Sequence, residues 1–505
     1  MELNANFYLD LEHVVQRTPH AIALELGNER AITYAALNQA VSIFAQRLRA
    51  LGVAKGDRVL VQVEKSAESL FLYLACLRSG IVYVPLNTAY QKLELEHFFN
   101  DAQPKLVVCR PQSEALFAQL LKNEDCNCVT LDEQGSGSFN DSAPNCELPI
   151  DAVVMHPDDP AVIIYTSGTT GRSKGAVVTH RNLASNARAL IAAWGFTSTD
   201  VLLHALPVFH VHGLFVANHC ALMSGARIIW NAKFDPLAVL ADLPRASVFM
   251  GVPTFYVRLL EQAKLDRGRC SNVRLFVSGS APLLAETFRA FEARSGHRIL
   301  ERYGMSETGM ITSNPLHGER RAGTVGLPLA GISVRVADTH DRPLPAGETG
   351  GIQLRGDNVF AGYWRMPERT QQEFSDDGFF RTGDMGVMDA AGYLSIVGRA
   401  KDLIISGGYN VYPKEIELAL DQIPGVAESA VIGLPNADFG EVVAAVVVPK
   451  RNASLDEREI ISTLKQQLAN YKIPKRVFVL EALPRNAMGK VQKSQLRQRF
   501  ALDAQ

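Results

Sequence analysis

The residues best suited to chemistry form one short segment, residues 165–175, which reads Tyr-Thr-Ser-Gly-Thr-Thr-Gly-Arg-Ser-Lys-Gly and follows an apolar run. Glycines let a backbone approach anionic oxygens, hydroxyls add hydrogen bonds, and a lysine adds positive charge. The segment therefore predicts a polyphosphate site. It is not a Walker A loop, because Lys174 is followed by Gly175 instead of Ser or Thr. A flexible surface turn is the alternative, but that reading explains neither the preceding strand nor the terminal Lys-Gly pair.

Four further segments follow in order along the chain. They are residues 301–308 (Glu-Arg-Tyr-Gly-Met-Ser-Glu-Thr), 378–384 (Gly-Phe-Phe-Arg-Thr-Gly-Asp), 398–417 (from Gly-Arg to Tyr-Pro-Lys-Glu-Ile-Glu) and 484–490 (Pro-Arg-Asn-Ala-Met-Gly-Lys). Together with the glycine-rich loop, they resemble the adenylate-forming superfamily, which includes acyl-CoA synthetases, luciferases and peptide-synthetase adenylation domains. The resemblance implies an AMP-forming acid–thiol ligase that uses ATP, Mg²⁺ and coenzyme A.

The resemblance also implies roles for individual residues. Tyr303 would stack on adenine, Glu307 and Thr166 would hold Mg²⁺, and Thr308 would help to hold the α-phosphate. An ionised carboxylate only accepts hydrogen bonds, so Asp384 suits the two ribose hydroxyls, with Arg399 assisting. The full set of implied ATP contacts is Thr166, Ser167, Gly168, Thr169, Thr170, Gly171, Lys174, Ser280, Ala281, Tyr303, Ser306, Thr308, Asp384, Arg399 and Lys490.

Two lysines near the C-terminus are implied to serve different half reactions. Lys490 would bridge the attacking carboxylate and the α-phosphate, where an ammonium offsets the charge that grows in the displacement. His210, Glu307 and Thr308 complete the implied catalytic set. Lys401 would be the hinge about which a small C-terminal domain rotates to admit coenzyme A. The loop that would line the thiol tunnel consists of Ser406, Gly407, Gly408 and Tyr409.

Over its whole length the sequence is similar to the malonyl-CoA synthetases, which implies malonate as the acid, with methylmalonate as a second candidate. Arg302 carries this prediction, since many relatives that activate neutral acids have Gly there and a buried arginine needs an anion. Arg258 is the second candidate partner, and a solvated charge on a helix face is its alternative. The implied acyl pocket consists of His210, Val211, Arg258, Ser278, Gly279, Arg302 and Met305. Val211 and Ser306 each replace a threonine that is common in these enzymes.

Other functions stay open at this stage. The chain could activate a neutral short-chain or aromatic acid, or load a carrier protein supplied in trans. It could also bind nucleotide without turnover, although such a protein has no physical need for Lys174, Glu307, Asp384 and Lys490 together. The pair His210 and His212 could suggest zinc, but no Asp, Glu or Cys is spaced to complete that site.

The elements that must position these residues form an α/β pattern. Short β-branched runs, such as residues 58–63, 106–109, 161–165, 248–250 and 274–277, alternate with helical stretches such as 33–51. This alternation predicts layers with mostly parallel sheets. We expect a large N-terminal domain over residues 1–399 and a small α+β lid over 400–505, with helices at 413–420 and 456–469 and strands at 427–433, 442–449 and 476–480.

The bulk composition excludes several classes of protein. Of 505 residues, 47% are hydrophobic, and 51 Lys and Arg nearly balance 53 Asp and Glu, so a nucleic-acid partner is not expected. The N-terminus lacks the pattern of a signal peptide, and no apolar run is long enough for a membrane span. These features predict a cytoplasmic protein and leave its oligomeric state open.

Overall fold

The chain is divided into two compact units in a computed structural model. The first unit comprises Met1–Ser333 and Leu354–Gly378, and the second comprises Val334–Gln353 and Phe379–Gln505. The structure describes residues 4–27, 30–121, 126–141, 151–166, 173–406, 409–436, 439–486 and 489–501. The predicted boundary between residues 399 and 400 marks a hinge, whereas these units are defined by packing, so that boundary stays a prediction.

The α-helices are amphipathic or buried segments that begin and end near the sequence signals for helix termini. In chain order they are α1 (Tyr8–Arg17), α2 (Tyr34–Ala50), α3 (Ala67–Arg78), α4 (Lys92–Ala102), α5 (Glu114–Leu120), α6 (Ser138–Asp141), α7 (His180–Trp194), α8 (Asn218–Ser224), α9 (Pro236–Asp242), α10 (Pro253–Leu260), α11 (Ala285–Ser295), α12 (Pro367–Gln372), α13 (Pro413–Leu420), α14 (Glu457–Lys465) and α15 (Lys493–Phe500). A π-helical segment, His212–Ala217, runs directly into α8. None of the helices in the described ranges is long and apolar enough to cross a membrane.

The strands are short and rich in buried β-branched residues. In chain order they are β1 (Ile22–Leu26), β2 (Arg30–Thr33), β3 (Arg58–Gln62), β4 (Val82–Pro85), β5 (Leu106–Cys109), β6 (Asn127–Thr130), β7 (Pro160–Thr166), β8 (Lys174–Thr179), β9 (Val201–His204), β10 (Arg227–Trp230), β11 (Val248–Gly251), β12 (Leu275–Ser278), β13 (Leu300–Met305), β14 (Gly309–Ser313), β15 (Leu327–Pro328), β16 (Ile332–Ala337), β17 (Thr349–Gly356), β18 (Gly362–Tyr363), β19 (Phe380–Met388), β20 (Leu394–Arg399), β21 (Ile404–Ser406), β22 (Tyr409–Val411), β23 (Val426–Asn436), β24 (Gly440–Pro449) and β25 (Arg476–Val479).

Two large sheets form the first unit. One has the order β15-β14-β13-β12-β11-β9-β10-β1-β2, and the other has the order β18-β8-β7-β4-β3-β5-β6. The central strands of both sheets pair in parallel, and antiparallel strands lie at the edges. The carboxyl ends of parallel strands share one edge of a sheet, which is where ligands bind in α/β folds. The predicted α/β layers are confirmed.

Helix α2 illustrates how the sequence specifies these elements. The Thr33 side chain accepts a hydrogen bond from the Ala36 backbone N–H, which satisfies an otherwise unpaired donor at the helix start. Leu37, Val41 and Leu48 recur at helical spacing and are fully buried. The predicted helix, residues 33–51, therefore agrees with Tyr34–Ala50 to within one residue at each end.

The second unit contains two smaller sheets. The strands of the first, β16-β17-β19-β20, fall almost entirely in this unit, and the second has the order β22-β21-β24-β23 with β25 beside β24. Helix α13 matches the predicted helix at both ends, whereas α14 ends at Lys465, short of the predicted end at residue 469. The reason is local, because Ala469 adopts an extended conformation before the turn Asn470–Lys472.

Candidate active site

The glycine-rich loop connects two antiparallel strands. Strands β7 and β8 pair so that Thr166 lies opposite Lys174, and these two residues therefore mark the base of the loop. The side chain of Lys174 is buried, although lysine usually remains in water. The predicted phosphate contacts Ser167, Gly168, Thr169, Thr170 and Gly171 lie outside the described residues.

The Lys174 ammonium is held in place by two residues of another segment. Its Nζ lies 4.1 Å from the centre of the Tyr363 ring and 3.6 Å from Oε1 of Glu373. A ring face attracts a cation, and a carboxylate offsets the cost of its burial. The site thus presents a fixed positive charge at the base of the loop, as the phosphate prediction requires.

Glu307 lies between β13 and β14 and is buried. Its Oε1 accepts hydrogen bonds from the Thr166 hydroxyl at 3.3 Å and from the Tyr363 hydroxyl at 3.1 Å. The structure therefore brings together Glu307 and Thr166, the two residues predicted to hold Mg²⁺. Thr308, which follows Glu307, is fully buried, and its carbonyl accepts a hydrogen bond from the side-chain amide of Asn358 at 2.8 Å.

These donors fit a magnesium ion that is bound largely by phosphates. Mg²⁺ prefers oxygen ligands and is usually held by one or two carboxylates together with phosphate oxygens and waters. Glu307 and Thr166 supply one carboxylate and one hydroxyl. No group of three or more His, Cys, Asp or Glu side chains suited to a metal occurs in the part of the chain that the structure describes.

Arg302 lies on β13 beside the carboxyl end of β12 and is 4% exposed. Its Nε and Nη2 atoms have no hydrogen-bond partner among the described residues. These two nitrogens lie on one edge of the guanidinium and can bind both oxygens of a carboxylate. Burial lowers the pKa of Arg302 to about 9, so the group still carries a proton at neutral pH.

Gly279, which follows β12, packs against the guanidinium. A Cβ on Gly279 would lie 2.3 Å from Cζ of Arg302, so glycine leaves space for this side chain in its present conformation. The Ser278 hydroxyl, at the end of β12, is also buried without a hydrogen-bond partner in the described structure. Buried polar groups without partners are rare in proteins, and the unpaired nitrogens of Arg302 indicate a polar ligand.

The segment that contains the two histidines forms the π-helical turn before α8. Val211 and His212 are buried, His210 is partly exposed, and the His210 carbonyl accepts the N–H of Leu214 at 2.8 Å. Burial lowers the pKa of His212 well below its usual value, and the nearby Arg302 acts in the same direction. His212 is therefore neutral beside the guanidinium. Single π-helical turns occur often at functional sites.

Ser280 connects this segment to β12. Its φ of 72° is in the left-handed region, which costs free energy for a residue other than glycine. Its hydroxyl lies 3.4 Å from Nδ1 of His212. Strain of this kind accumulates at ligand sites, which agrees with the predicted role of Ser280 and its neighbour Ala281.

Arg258 and Met305, two further residues of the predicted acyl pocket, are less buried than Arg302. Arg258 is on the exposed face of α10, whereas Tyr256, two residues earlier on the same helix, is buried and donates its hydroxyl proton to the Val277 carbonyl at 2.6 Å. The structure therefore does not bring Arg258 into the buried set around Arg302, which favours its alternative as a solvated charge. Met305 and Ser306 are half-buried at the end of β13.

The predicted adenosine contacts are divided between the two units. Tyr303 is buried on β13 of the first unit, opposite Thr312 of β14. In the second unit, Asp384 and Arg399 lie opposite each other on β19 and β20, and Arg399 Nε is 3.0 Å from Asp384 Oδ1. The predicted assistance of Arg399 thus has a direct contact to support it.

The remaining predicted residues belong to the second unit. Lys401 is exposed in the 3₁₀ turn Ala400–Asp402, Ser406 ends β21 and is buried, and Tyr409 begins β22 and is exposed. Gly407 and Gly408 lie outside the described residues. Lys490 is exposed at the end of a tight turn in which its N–H donates to the Asn486 side chain at 3.0 Å.

Sequence reasoning missed two residues that the structure places in this region. Tyr363 contacts both Lys174 and Glu307, and Lys65 forms a buried cluster with His204. The only sequence signal for Tyr363 is an aromatic residue beside a glycine, in the sequence Ala-Gly-Tyr-Trp of residues 361–364. That signal does not indicate which residues the ring contacts.

Comparison with known proteins agrees with this geometry. The AMP-binding enzyme family matches residues 11–364, and the family of the AMP-binding enzyme C-terminal domain matches residues 415–490. The solved structure of ATP-bound MatB from Rhodopseudomonas palustris is 50% identical, with a TM-score of 0.97 and 100% of both chains covered. A malonate–CoA ligase of Arabidopsis thaliana is 35% identical over 491 residues, which are 90% of this chain and 79% of that protein. A feruloyl-CoA synthase of Amycolatopsis sp is 36% identical over 487 residues, or 96% of each chain.

These matches cover both the loop region with its partner Glu307 and the C-terminal segment that carries Lys490. The fold is the one that the resemblance implied, whereas the roles of the individual site residues stay predictions. The chain belongs to the AMP-binding enzyme family.

Proposed function

We propose that this chain ligates malonate to coenzyme A with ATP and Mg²⁺, through an acyl-adenylate, and releases AMP and pyrophosphate. It is an AMP-forming acid–CoA ligase, and its similarity to MatB and to malonate–CoA ligases supports malonate as the acid. A feruloyl-CoA synthase is about as similar in sequence as the Arabidopsis malonate–CoA ligase, whereas MatB is 50% identical. The pocket provides an independent criterion for the acid.

The single observation that carries the assignment is the buried, unpaired edge of Arg302. Burying a cation without a partner costs free energy on the order of several kcal/mol. Malonate has one carboxylate that reacts at phosphorus and a second that remains charged. We propose that the second carboxylate binds Nε and Nη2 of Arg302 and so offsets the cost of their burial, which a neutral acid cannot do.

The reaction then depends on the residues that hold charge near the reacting groups. Lys174 and Glu307, the latter with Mg²⁺ bound, would orient the phosphates. Bound Mg²⁺ neutralises the charge that develops on the phosphate oxygens. We propose that Asp384 and Arg399 hold the ribose and that Lys490 draws together the carboxylate and the α-phosphate, as the family resemblance implies.

A panel of acids tests the assignment directly. The purified protein is given ATP, Mg²⁺ and coenzyme A together with malonate, methylmalonate, acetate, butyrate or ferulate, and loss of free thiol is followed. We expect malonate to give the highest kcat/KM. Higher kcat/KM with butyrate or ferulate would overturn the dicarboxylate assignment and leave the family membership unaffected.

A further inference from the structure

Lys65 is a buried cation that the proposed reaction does not use. It follows β3, and its side chain lies among three acceptors: the His204 carbonyl at 2.8 Å, the Asn231 carbonyl at 2.7 Å and Nδ1 of His204 at 2.9 Å. The Nζ atom also lies 4.4 Å from the centre of the Trp230 ring. An ammonium has three protons, one for each acceptor, and these contacts offset the burial that lowers the pKa of Lys65 well below its usual value.

The acceptors lie at the ends of strands of one large sheet, whereas Lys65 follows a strand of the other. His204 ends β9, and Asn231 follows β10, both in the nine-stranded sheet, whereas β3 belongs to the other large sheet of the first unit. The ammonium therefore connects the carboxyl ends of strands from both sheets. A residue in this position can fix the loops that follow the strands of one sheet relative to the strands of the other.

The contact with Gly213 indicates which ring nitrogen of His204 carries a proton. Nε2 lies 2.9 Å from the Gly213 carbonyl oxygen, which can only accept, so Nε2 holds the hydrogen and Nδ1 of the neutral ring accepts from Lys65. Burial lowers the pKa of His204 well below its usual range, and the charge of Lys65 acts in the same direction. The ring is consequently neutral and acts as a one-way donor to Gly213.

Gly213 belongs to the π-helical segment that borders the acyl pocket. A Cβ at this position would lie 2.0 Å from the Pro207 carbonyl oxygen, so the backbone packs closely against the preceding loop. His212, its neighbour, faces Ser280 and lies near enough to Arg302 for that charge to affect its pKa. We infer that Lys65 and His204 are positioning residues, which hold the Gly213 carbonyl and thereby the wall that presents His210 and His212 to the acid.

This inference rests on the proposed function, and its test separates the two. Lys65→Met keeps an unbranched side chain that is one atom shorter and removes the donors, and His204→Leu removes the link to Gly213. We expect each to raise the KM for malonate about 10- to 30-fold and to leave the KM for ATP within about twofold. His204→Gln retains an acceptor and a donor, so it should recover most of the malonate KM.

Two further measurements distinguish positioning from general stability. Leu464→Ala removes a fully buried side chain of α14 from a separate hydrophobic cluster of the second unit, and it should lower Tm without changing the KM for malonate. The double variant Lys65→Met/His204→Leu should have a KM close to that of either single variant, because both act through one contact chain.

The outcomes are decisive in either direction. Wild-type protein that does not activate malonate would overturn the proposed function itself. If the wild-type protein activates malonate, two results would overturn the inference alone. One is an unchanged KM for malonate in both single variants, and the other is an equal rise in their KM for ATP and for malonate. If Lys65→Met does not fold, His204→Gln and His204→Leu still provide the comparison.

Discussion

At the scale of single residues, the unpaired edge of the Arg302 guanidinium indicates the shape of the ligand that it can bind. Arg302 has its Nε and Nη2 unpaired, and Gly279 packs against the flat face of the same guanidinium. The geometry therefore favours a planar, two-oxygen ligand over a single point contact.

Arg302→Lys tests that geometry, since it retains the charge and loses the planar pair of donors. We expect kcat/KM for malonate to fall about 10- to 100-fold in this variant. In Arg302→Met, which also loses the charge, kcat/KM for malonate should fall about 30- to 1,000-fold. The KM for ATP should change little in both variants. Arg289→Met, at an exposed position of α11, is the matched control. Full malonate activity in Arg302→Met would contradict the role of this residue.

Tyr363→Phe makes a second residue-scale prediction, because it removes the hydroxyl that donates to Glu307 and retains the ring beside Lys174. We expect the half-saturating Mg²⁺ concentration to rise about tenfold, at the lower end of the roughly 10- to 100-fold loss that is usual when an outer partner of a metal ligand is lost. Calorimetric titration with Mg²⁺ and ATP should show weaker binding.

The control for Tyr363→Phe is Tyr34→Phe, which removes a buried hydrogen bond to the Ala226 carbonyl in another part of the unit. It should lower Tm and leave Mg²⁺ dependence unchanged. Tyr363→Leu should additionally weaken ATP binding, since the ring contact of Lys174 is lost. Equal Mg²⁺ dependence in Tyr363→Phe and wild type would mean that the hydroxyl does not position Glu307.

The residue scale also shows where sequence reasoning stops. Arg302 could be predicted because it lies within a family motif, at a position where many relatives that activate neutral acids have Gly. Tyr363 contacts Glu307 across 56 positions, and Lys65 contacts His204 across 139 positions. No local pattern records such pairs, because the contact is created by the packing of elements and not by spacing along the chain.

At the scale of elements, the strands and most helices could be predicted because burial leaves a periodic apolar pattern. The helix predicted at residues 413–420 and the strand predicted at 106–109 agree with α13 and β5 at both ends. The π-helical turn could not be predicted, because the apolar sequence of residues 212–217 does not distinguish it from an α-helix.

The packing of α13 on β23 provides an element-scale prediction about pH. Asp421 follows α13, and burial raises its pKa to about 6 from 3.8, although the Ser429 hydroxyl donates to it at 2.6 Å. A carboxyl with a raised folded-state pKa stabilises the fold below its unfolded pKa, and this contribution is lost as pH rises through 6. At pH 8 the ionised group costs up to about 3 kcal/mol.

Asp421→Asn removes the charge and keeps an acceptor for Ser429. We therefore expect the variant to raise the free energy of unfolding at pH 8 by about 1 to 3 kcal/mol and to change it little near pH 4. Denaturant unfolding of the full chain at the two pH values measures the difference. Asp376→Asn, at an exposed position, serves for comparison, and an equal effect of Asp421→Asn at both pH values would show that burial does not set the titration.

At the scale of the whole molecule, the implied catalytic residues are divided over two compact units. Lys174, Arg302 and Glu307 belong to the first, whereas Asp384 and Lys490 belong to the second. Composition and motif order predicted two domains, but the packing of β19 and β20 with the C-terminal strands in one unit could not be predicted from the motifs. A hinge at Lys401 remains a prediction for which kinetics, and not packing, is the test.

The two half reactions provide that test, because Lys490 is proposed to act only in adenylation. Its ammonium would offset the repulsion between the carboxylate and the α-phosphate, and this charge has no part in the later attack of a thiol on the adenylate. Lys490→Ala should therefore reduce malonate-dependent pyrophosphate exchange by at least about 100-fold, while transfer from synthetic malonyl-AMP to coenzyme A stays within about threefold of wild type. Lys401→Pro should do the reverse, since proline fixes φ and restricts rotation at the proposed hinge. Lys465→Ala, at an exposed lysine of α14, should leave both rates unchanged. A parallel loss of both half reactions in Lys490→Ala would show that this lysine serves one common step, and normal thioester formation in Lys401→Pro would place the hinge at another residue.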